Sequence, residues 1–548
     1  MPARRPLSPF SASPRRFGAR ALELEALGPP LLRLPLILAF EVVGAILFAF
    51  VPGCAAADPA ITATAARPAT EALPAPIAQA LNDAGIPLST VGLVVQAVGT
   101  EQARLELNAT LPLNPASAMK LVSTYAALHL LGPAWRWNTQ LLSTRNPQDG
   151  ILEGDVFVRG AGDPKLTADA LREALRTLRA RGVRDIRGDL VLDRSLFETD
   201  DIDPGHFDQE PTRPYNVGPD PLLMQFKAIR FQFIPDTERG TITVAADPAL
   251  PQIETQAAVR STAGPCPDWR SQLRLDVQGT ARSARVGFSG SMPASCGERN
   301  WYLGLLSHPE FFNALFRALW TELGGTLSGG LREARVPADA RVLASIESPA
   351  LAEVVRDINK YSNNVMARQL FLNLSAPVDG ATAGASLAGS ARRVEALLRS
   401  RSIDSQGLVL DNGSGLSRSE RISAATLTRI LLDAWSSNVM PEFISSMPIA
   451  AVDGTLRTRA GLRSMAGDAH IKTGSLAEVR SIAGFVQTPK GERYAVVMIV
   501  NSPNAARVTA AQDALLRWVH GLGASATTAP RESSAVRQST RKAAPVHR

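Results

Sequence analysis

Histidine is scarce in this 548-residue chain, and the six present never fall within four positions of one another, so no His-x-x-x-His zinc pair exists. There is no Gly-x-Ser-x-Gly elbow, which argues against an α/β-hydrolase. Gly413-Ser414-Gly415 is too short for a nucleotide loop, and neither a metal nor an organic cofactor is expected. Aromatic residues make up only 5%. The net charge of +7 hints at nucleic acid until it is divided along the chain. Residues 1–57 hold six Arg and three Glu, and residues 531–548 hold four Arg, one Lys and one Glu, which leaves a neutral body. A neutral body without a basic-aromatic motif excludes nucleic-acid binding as the working hypothesis.

Cysteine is nearly absent too. Of three, Cys54 sits at the end of an N-terminal segment in which Arg4, Arg5, Arg15, Arg16 and Arg20 precede an apolar run from Leu31 to Val51. Small residues follow at 53–57, the layout of a cleaved export signal with Ala55-x-Ala57 as its site. An uncleaved anchor and a lipoprotein acylated on Cys54 are the alternatives, and peripheral membrane association is left open. Export points to a periplasmic protein. In that compartment the remaining pair, Cys266 and Cys296, reads as one disulfide rather than two buried thiols.

What is present is a set of three short boxes. Ser117-Ala-Met-Lys120 follows Asn114-Pro115, a cap-like pair that places Ser117 in a first helical turn with Lys120 on the same face. A serine hydroxyl needs a base, and lysine serves only when burial or nearby positive charge lowers its pKa. The small apolar neighbours Ala116, Ala118, Met119, Leu121 and Val122 suit such an amine. Ser362-Asn363-Asn364 lies between two helical patterns and reads as a tight helix–helix connection. Lys472-Thr473-Gly474-Ser475 opens an antiparallel pattern whose runs at 481–487 and 493–501 flank a turn at 488–492. A Lys-Thr-Gly strand at a sheet edge can pair with an extended peptide, with Gly474 permitting close approach. The amides of Ser117 and Ser475 would then form an oxyanion hole.

Each box alone is weak, but the ordered set matches the serine acyl-enzyme pattern of β-lactamases and penicillin-binding proteins. Together with Gly160-Ala-Gly-Asp-Pro-Lys-Leu166 and Asp411-Asn-Gly-Ser-Gly-Leu-Ser-Arg418, the chain from about Ala75 to Gly521 resembles the D-alanyl-D-alanine carboxypeptidase/endopeptidase family of the penicillin-binding protein 4 type. The gap of 245 residues between Ser117 and Ser362 fits that family, in which extra domains are inserted there, and no Glu-x-x-Leu-Asn deacylation loop of class A β-lactamases is found.

The resemblance implies Ser117 as acylated nucleophile and Lys120 as its base. Ser362 and Asn364 would assist proton transfer and amide binding. Lys472, Thr473 and Gly474 would grip the terminal D-Ala, and Arg418 would meet a diaminopimelate carboxylate. Peptidoglycan stem peptides and crosslinks are the implied substrates and β-lactams the covalent inhibitors. A β-lactamase or esterase on the same scaffold is the rival enzyme, and an envelope scaffold with relic boxes the non-enzymatic one. The tryptophan-rich stretch usual in relatives is altered here near Phe207–Tyr215.

The expected fold is α+β, a β-lactamase/transpeptidase-like antiparallel sheet flanked by helices with a long, mostly β insertion. In order along the chain, we expect a signal (1–57), a leader (58–75), the peptidase domain (76–140 and 340–524), an insertion of two small β-rich domains with one clear helix (141–339), and a basic tail (525–548).

Overall fold

The computed structural model describes residues 72–198, 203–376 and 384–522. The expected signal, most of the leader and the whole of the basic tail lie outside them.

The run Tyr494–Val500 is apolar without alternation, the mark of a strand covered on both faces. That strand (Arg493–Asn501) is the centre of a five-stranded antiparallel sheet. On one side it pairs with Val91–Ala97, which in turn pairs with Ala103–Leu107. On the other it pairs with Val479–Gln487 and then with the edge strand Ala469–Leu476. Ala495, Val497 and Ile499 face a core shared with the helices Met119–Leu130, Leu351–Tyr361, Asn364–Asn373 and Ala424–Ser436. Val496, Met498 and Val500 face the opposite way, onto the first and last helices, Ala75–Asp83 and Thr509–Gly521. Lys-Thr-Gly thus lies on the edge strand of the sheet.

The helix Met119–Leu130 is buried on every side from Met119 to Leu128, so it forms the axis of the helical layer rather than its surface. It begins later than its sequence suggests. Asn114 does not cap it: its Oδ1 accepts the Ala116 N–H at 2.8 Å, while its own backbone exchanges two bonds with the Asn501 amide, at 2.8 and 2.9 Å. The chain then makes a 3₁₀ turn at Ala116–Ala118, with Ala116 at φ +45°, before the α-helix starts at Met119. Local side-chain bonding has outcompeted the cap.

The inserted strands overrun the expected borders at 141 and 339. Asn138–Ser143 pairs with Arg341–Glu347 across two hundred residues, and both belong to a five-stranded sheet with Val156–Arg159, Leu190–Asp193 and Leu331–Glu333. A six-stranded sheet spans residues 228–304, and a small three-stranded one completes the set. Beside the expected helix (Ala168–Ala180) there is a second, His308–Glu322, capped by Ser307 and carrying Phe312, Phe316 and Trp320 inward at four-residue spacing. Most of the buried apolar residues of these elements form one connected cluster from Leu141 to Ile346, while Leu142, Phe157 and Val191 form a small separate one. Cys266 and Cys296 form a disulfide there. Among the described residues no helix is long and apolar enough to cross a membrane.

The helix Asn364–Asn373 joins the two parts. Gln369 Oε1 accepts the Asp220 N–H at 3.0 Å and its Nε2 donates to the Asp220 carbonyl at 2.6 Å. Asn373 Oδ1 accepts from Trp137 Nε1 at 2.9 Å, while its Nδ2 donates to the Gly162 carbonyl at 2.8 Å. The Gly-Ala-Gly-Asp-Pro stretch therefore serves this junction. Asp163 is buried under it, and burial pushes its carboxyl up to about 6.

Candidate active site

Three chain segments meet at Lys120. Its ammonium group is fully buried and donates to Ser117 Oγ at 3.0 Å, to Asn364 Oδ1 at 2.6 Å and to the Ser414 carbonyl. All three acceptors are neutral, so nothing bonded to the amine compensates its charge. Burial holds the Lys120 pKa well below the usual lysine range, the Lys472 and Arg368 cations push it further down, and Glu420 partly opposes them. That is the condition under which a lysine can take a proton from a neighbouring hydroxyl.

Asn364 reaches Lys120 because the helix–helix connection is tight. The first helix ends at Tyr361, Ser362 turns the chain with φ +55°, and Asn363 caps the next helix by accepting the Met366 N–H at 3.0 Å. Ser362 points the other way. Its Oγ accepts from Lys472 Nζ at 2.9 Å, and Lys472 also donates to the Thr473 carbonyl at 2.7 Å. Lys472 is fully buried, and burial lowers its pKa to about 7. Thr473 Oγ1 lies 3.0 Å from Thr455 Oγ1.

The Lys-Thr-Gly strand and the Ser117 turn touch through Gly474. A Cβ there would stand 2.3 Å from Ser481 Oγ, 2.4 Å from the Pro115 carbonyl and 3.0 Å from the Ser117 amide. Ser481 Oγ in turn donates to the Pro115 carbonyl at 2.5 Å. Only glycine lets the edge strand lie this close to the Ser117 backbone. Ser475 follows, exposed on the same strand.

The loop 411–420 closes the far side. Gly415 has φ +79°, and a Cβ would meet the Ala116 carbonyl at 1.9 Å, so the loop packs directly on the turn that carries Ser117. Arg418 stands apart from the Lys120 cluster. It is exposed, its guanidinium sits 5.1 Å above the Phe207 ring and donates to the Phe207 carbonyl at 3.2 Å. With Arg368, Asp411, Asn412 and Phe207 it lines a cavity of about 400 Å³ beside the loop.

Three participants left little trace in the sequence. Arg368 lies one turn after Asn364 on the same helix, a spacing that would have flagged it. The Ser414 carbonyl is a backbone group and is invisible to motif reading. Glu420, fully buried and pushed up to about 7 chiefly by burial, looks in the sequence like an ordinary surface acid.

Known proteins resemble this chain over most of its length. The D-alanyl-D-alanine carboxypeptidase of an Actinomadura species is 28% identical over 454 residues, covering 79% of this chain and 82% of that protein. The D-alanyl-D-alanine carboxypeptidase DacB of Haemophilus influenzae is 26% identical over 416 residues, covering 75% and 85%. The crystal structure of penicillin-binding protein 4 from Haemophilus influenzae superposes with a TM-score of 0.68 at 23% identity, covering 81% of this chain and 99% of that one, which shows the shared fold. Residues 73–522 match the family model described as the D-Ala-D-Ala carboxypeptidase 3 (S13) family, and the chain belongs to that family.

Proposed function

We propose that this protein is an exported, penicillin-binding serine D-alanyl-D-alanine carboxypeptidase that also cleaves D-Ala–diaminopimelate crosslinks in peptidoglycan. The observation that carries the reading is the meeting of Ser117, Lys120 and Asn364 within hydrogen-bond distance, with the Lys472–Ser362 pair lodged on the neighbouring strand edge. Lys120 takes the Ser117 proton as Oγ attacks the penultimate D-Ala carbonyl. The amides of Ser117 and Ser475 hold the oxyanion. Lys120 passes that proton on, through Ser362 and Lys472, to the departing amine nitrogen, so the amine leaves uncharged, Lys120 is a free base again and an ester remains on Ser117. Water then adds to the ester, giving a proton to Lys120, which returns it to Ser117 Oγ as the shortened peptide is released.

Asn364 binds the substrate amide. Lys472, Thr473 and Gly474 take the terminal carboxylate and the peptide backbone along the open edge. Arg418 receives a diaminopimelate carboxylate in the 400 Å³ cavity. A β-lactam enters as a mimic of the D-Ala-D-Ala end and stays as an ester. The disulfide and the N-terminal segment support a periplasmic location.

The test is mass spectrometry of the protein after brief penicillin exposure, with peptide mapping. One adduct on the Ser117 peptide, together with D-Ala release from a stem pentapeptide, is the expected result. An adduct elsewhere, or none, overturns the proposal. Rapid loss of the adduct with penicillin turnover would favour the β-lactamase alternative.

A further inference from the structure

Glu420 is fully buried yet contacts none of the three boxes. Its Oε1 accepts two backbone amides, from Asn412 at 3.1 Å and Gly413 at 2.7 Å, while its Oε2 is buried with no hydrogen-bond partner. Ser417 Oγ accepts the Ser419 and Glu420 amides at 3.1 and 3.3 Å, which closes the turn that brings the carboxyl back over its own loop. The carbonyls just after those anchored amides both serve the central helix. Gly413 accepts from Ser123 Oγ at 2.6 Å, and Ser414 accepts from Lys120 Nζ. Ser123 and Lys120 are three residues apart, on one face.

We propose that Glu420 is a positioning residue of the acylation site, whose carboxyl fixes the 412–414 backbone so that the Ser414 carbonyl stays on the Lys120 amine, and whose negative charge offsets the cations around that amine. This inference rests on the proposed role of Lys120 as the base. A fully buried acid costs stability that an apolar residue would not, so a carboxyl at this point calls for a role beyond packing. The charged groups facing it are Asp411 on its own loop, Arg368 from the helix Asn364–Asn373 and Lys120 from the central helix. Burial and Asp411 push the Glu420 carboxyl up to about 7, and once ionised Glu420 pulls against Lys472 and Arg368 at Lys120.

Two variants separate anchoring from charge. Glu420→Gln keeps an amide oxygen for the Asn412 and Gly413 N–H groups but removes the charge. It should keep the wild-type melting temperature while the acid limb of the penicillin acylation rate moves to lower pH, because a group that raises the Lys120 pKa is gone. Glu420→Ala frees the loop and should slow acylation by about 10- to 100-fold, the scale of a small misplacement at a reacting group. The inference is overturned if the Glu420→Gln profile superposes on wild type, or if Glu420→Ala acylates at the wild-type rate. If the wild-type protein takes no penicillin at Ser117, the functional reading fails instead, and the same labelling run shows which has happened.

Discussion

In the inserted sheets, charge comes in pairs. Arg194 reaches the buried Asp220 at 2.8 Å and Glu333 at 2.7 Å, Arg332 bridges Asp155 and Asp189, and Arg285 meets Glu254 at 2.9 Å. Around Ser117 the arrangement is reversed. Lys120 and Lys472 are entirely enclosed, and every hydrogen bond from their ammonium groups goes to a neutral oxygen. Arg368 is nearly enclosed too, with its Nε unpartnered. The insertion spends its charges on holding shape. The peptidase part tolerates unpaired charge where pKa values must be displaced, as expected of a site doing proton transfer at neutral pH.

The sharpest way to break this contrast is to remove a charge from each side. Lys120→Met should abolish penicillin acylation, by about 10³-fold or more in rate, while leaving the melting temperature unchanged or raised, since a buried uncompensated cation is lost. Stopped-flow labelling and calorimetry on the same sample check both halves. Asp220→Ala should do the opposite. Losing the buried carboxylate, with only the exposed Glu333 left to Arg194, should cost about 3 kcal/mol in denaturant unfolding, with acylation altered far less.

Gly474→Ala probes the contact rather than the charge. Its methyl would displace the edge strand from the Ser117 turn, so acylation should fall about 10²-fold. An unchanged rate would mean that the strand and the turn can part without cost. The gentlest test is pH. The Lys472 proton is held to about pH 7 in the folded protein but to 10.5 in the unfolded chain. Between those values the unfolded state binds more protons, so stability rises with pH, by up to about 1.4 kcal/mol per unit. Chemical unfolding across that window should show the rise in wild type and a shallower one in Lys472→Met.

The same contrast explains what could be read from sequence. Ser117 with Lys120, Ser362 with Asn364, and Lys472 to Gly474 are legible because each task needs neighbouring residues on one turn or strand. The closing strands are legible as strand-like runs such as 493–501, while their order in the sheet is not. Glu420 escaped because its partners are backbone amides, and the Ser414 carbonyl because it is itself a backbone atom, and backbone atoms have no residue type to recognise. The pairing of 138–143 with 341–347 escaped because no local pattern announces a contact two hundred residues away. Asn114 misled in a different way. As a favoured cap beside a proline it satisfied every local rule, yet its side-chain oxygen is taken by the Ala116 N–H and its backbone by the distant Asn501, and the α-helix starts at Met119.

The ten-residue helix Asn364–Asn373 has one end on Lys120 and the other clasped by Asp220, Trp137 and Gly162. At 1.5 Å per residue it is a rod of about 15 Å. The insertion is therefore no detachable ornament. A graft that excised residues 138–347 would strip the Gln369 amide of both its Asp220 partners and take the Gly162 carbonyl from Asn373, and Asn364 at the tip of the rod would lose the footing that aims it.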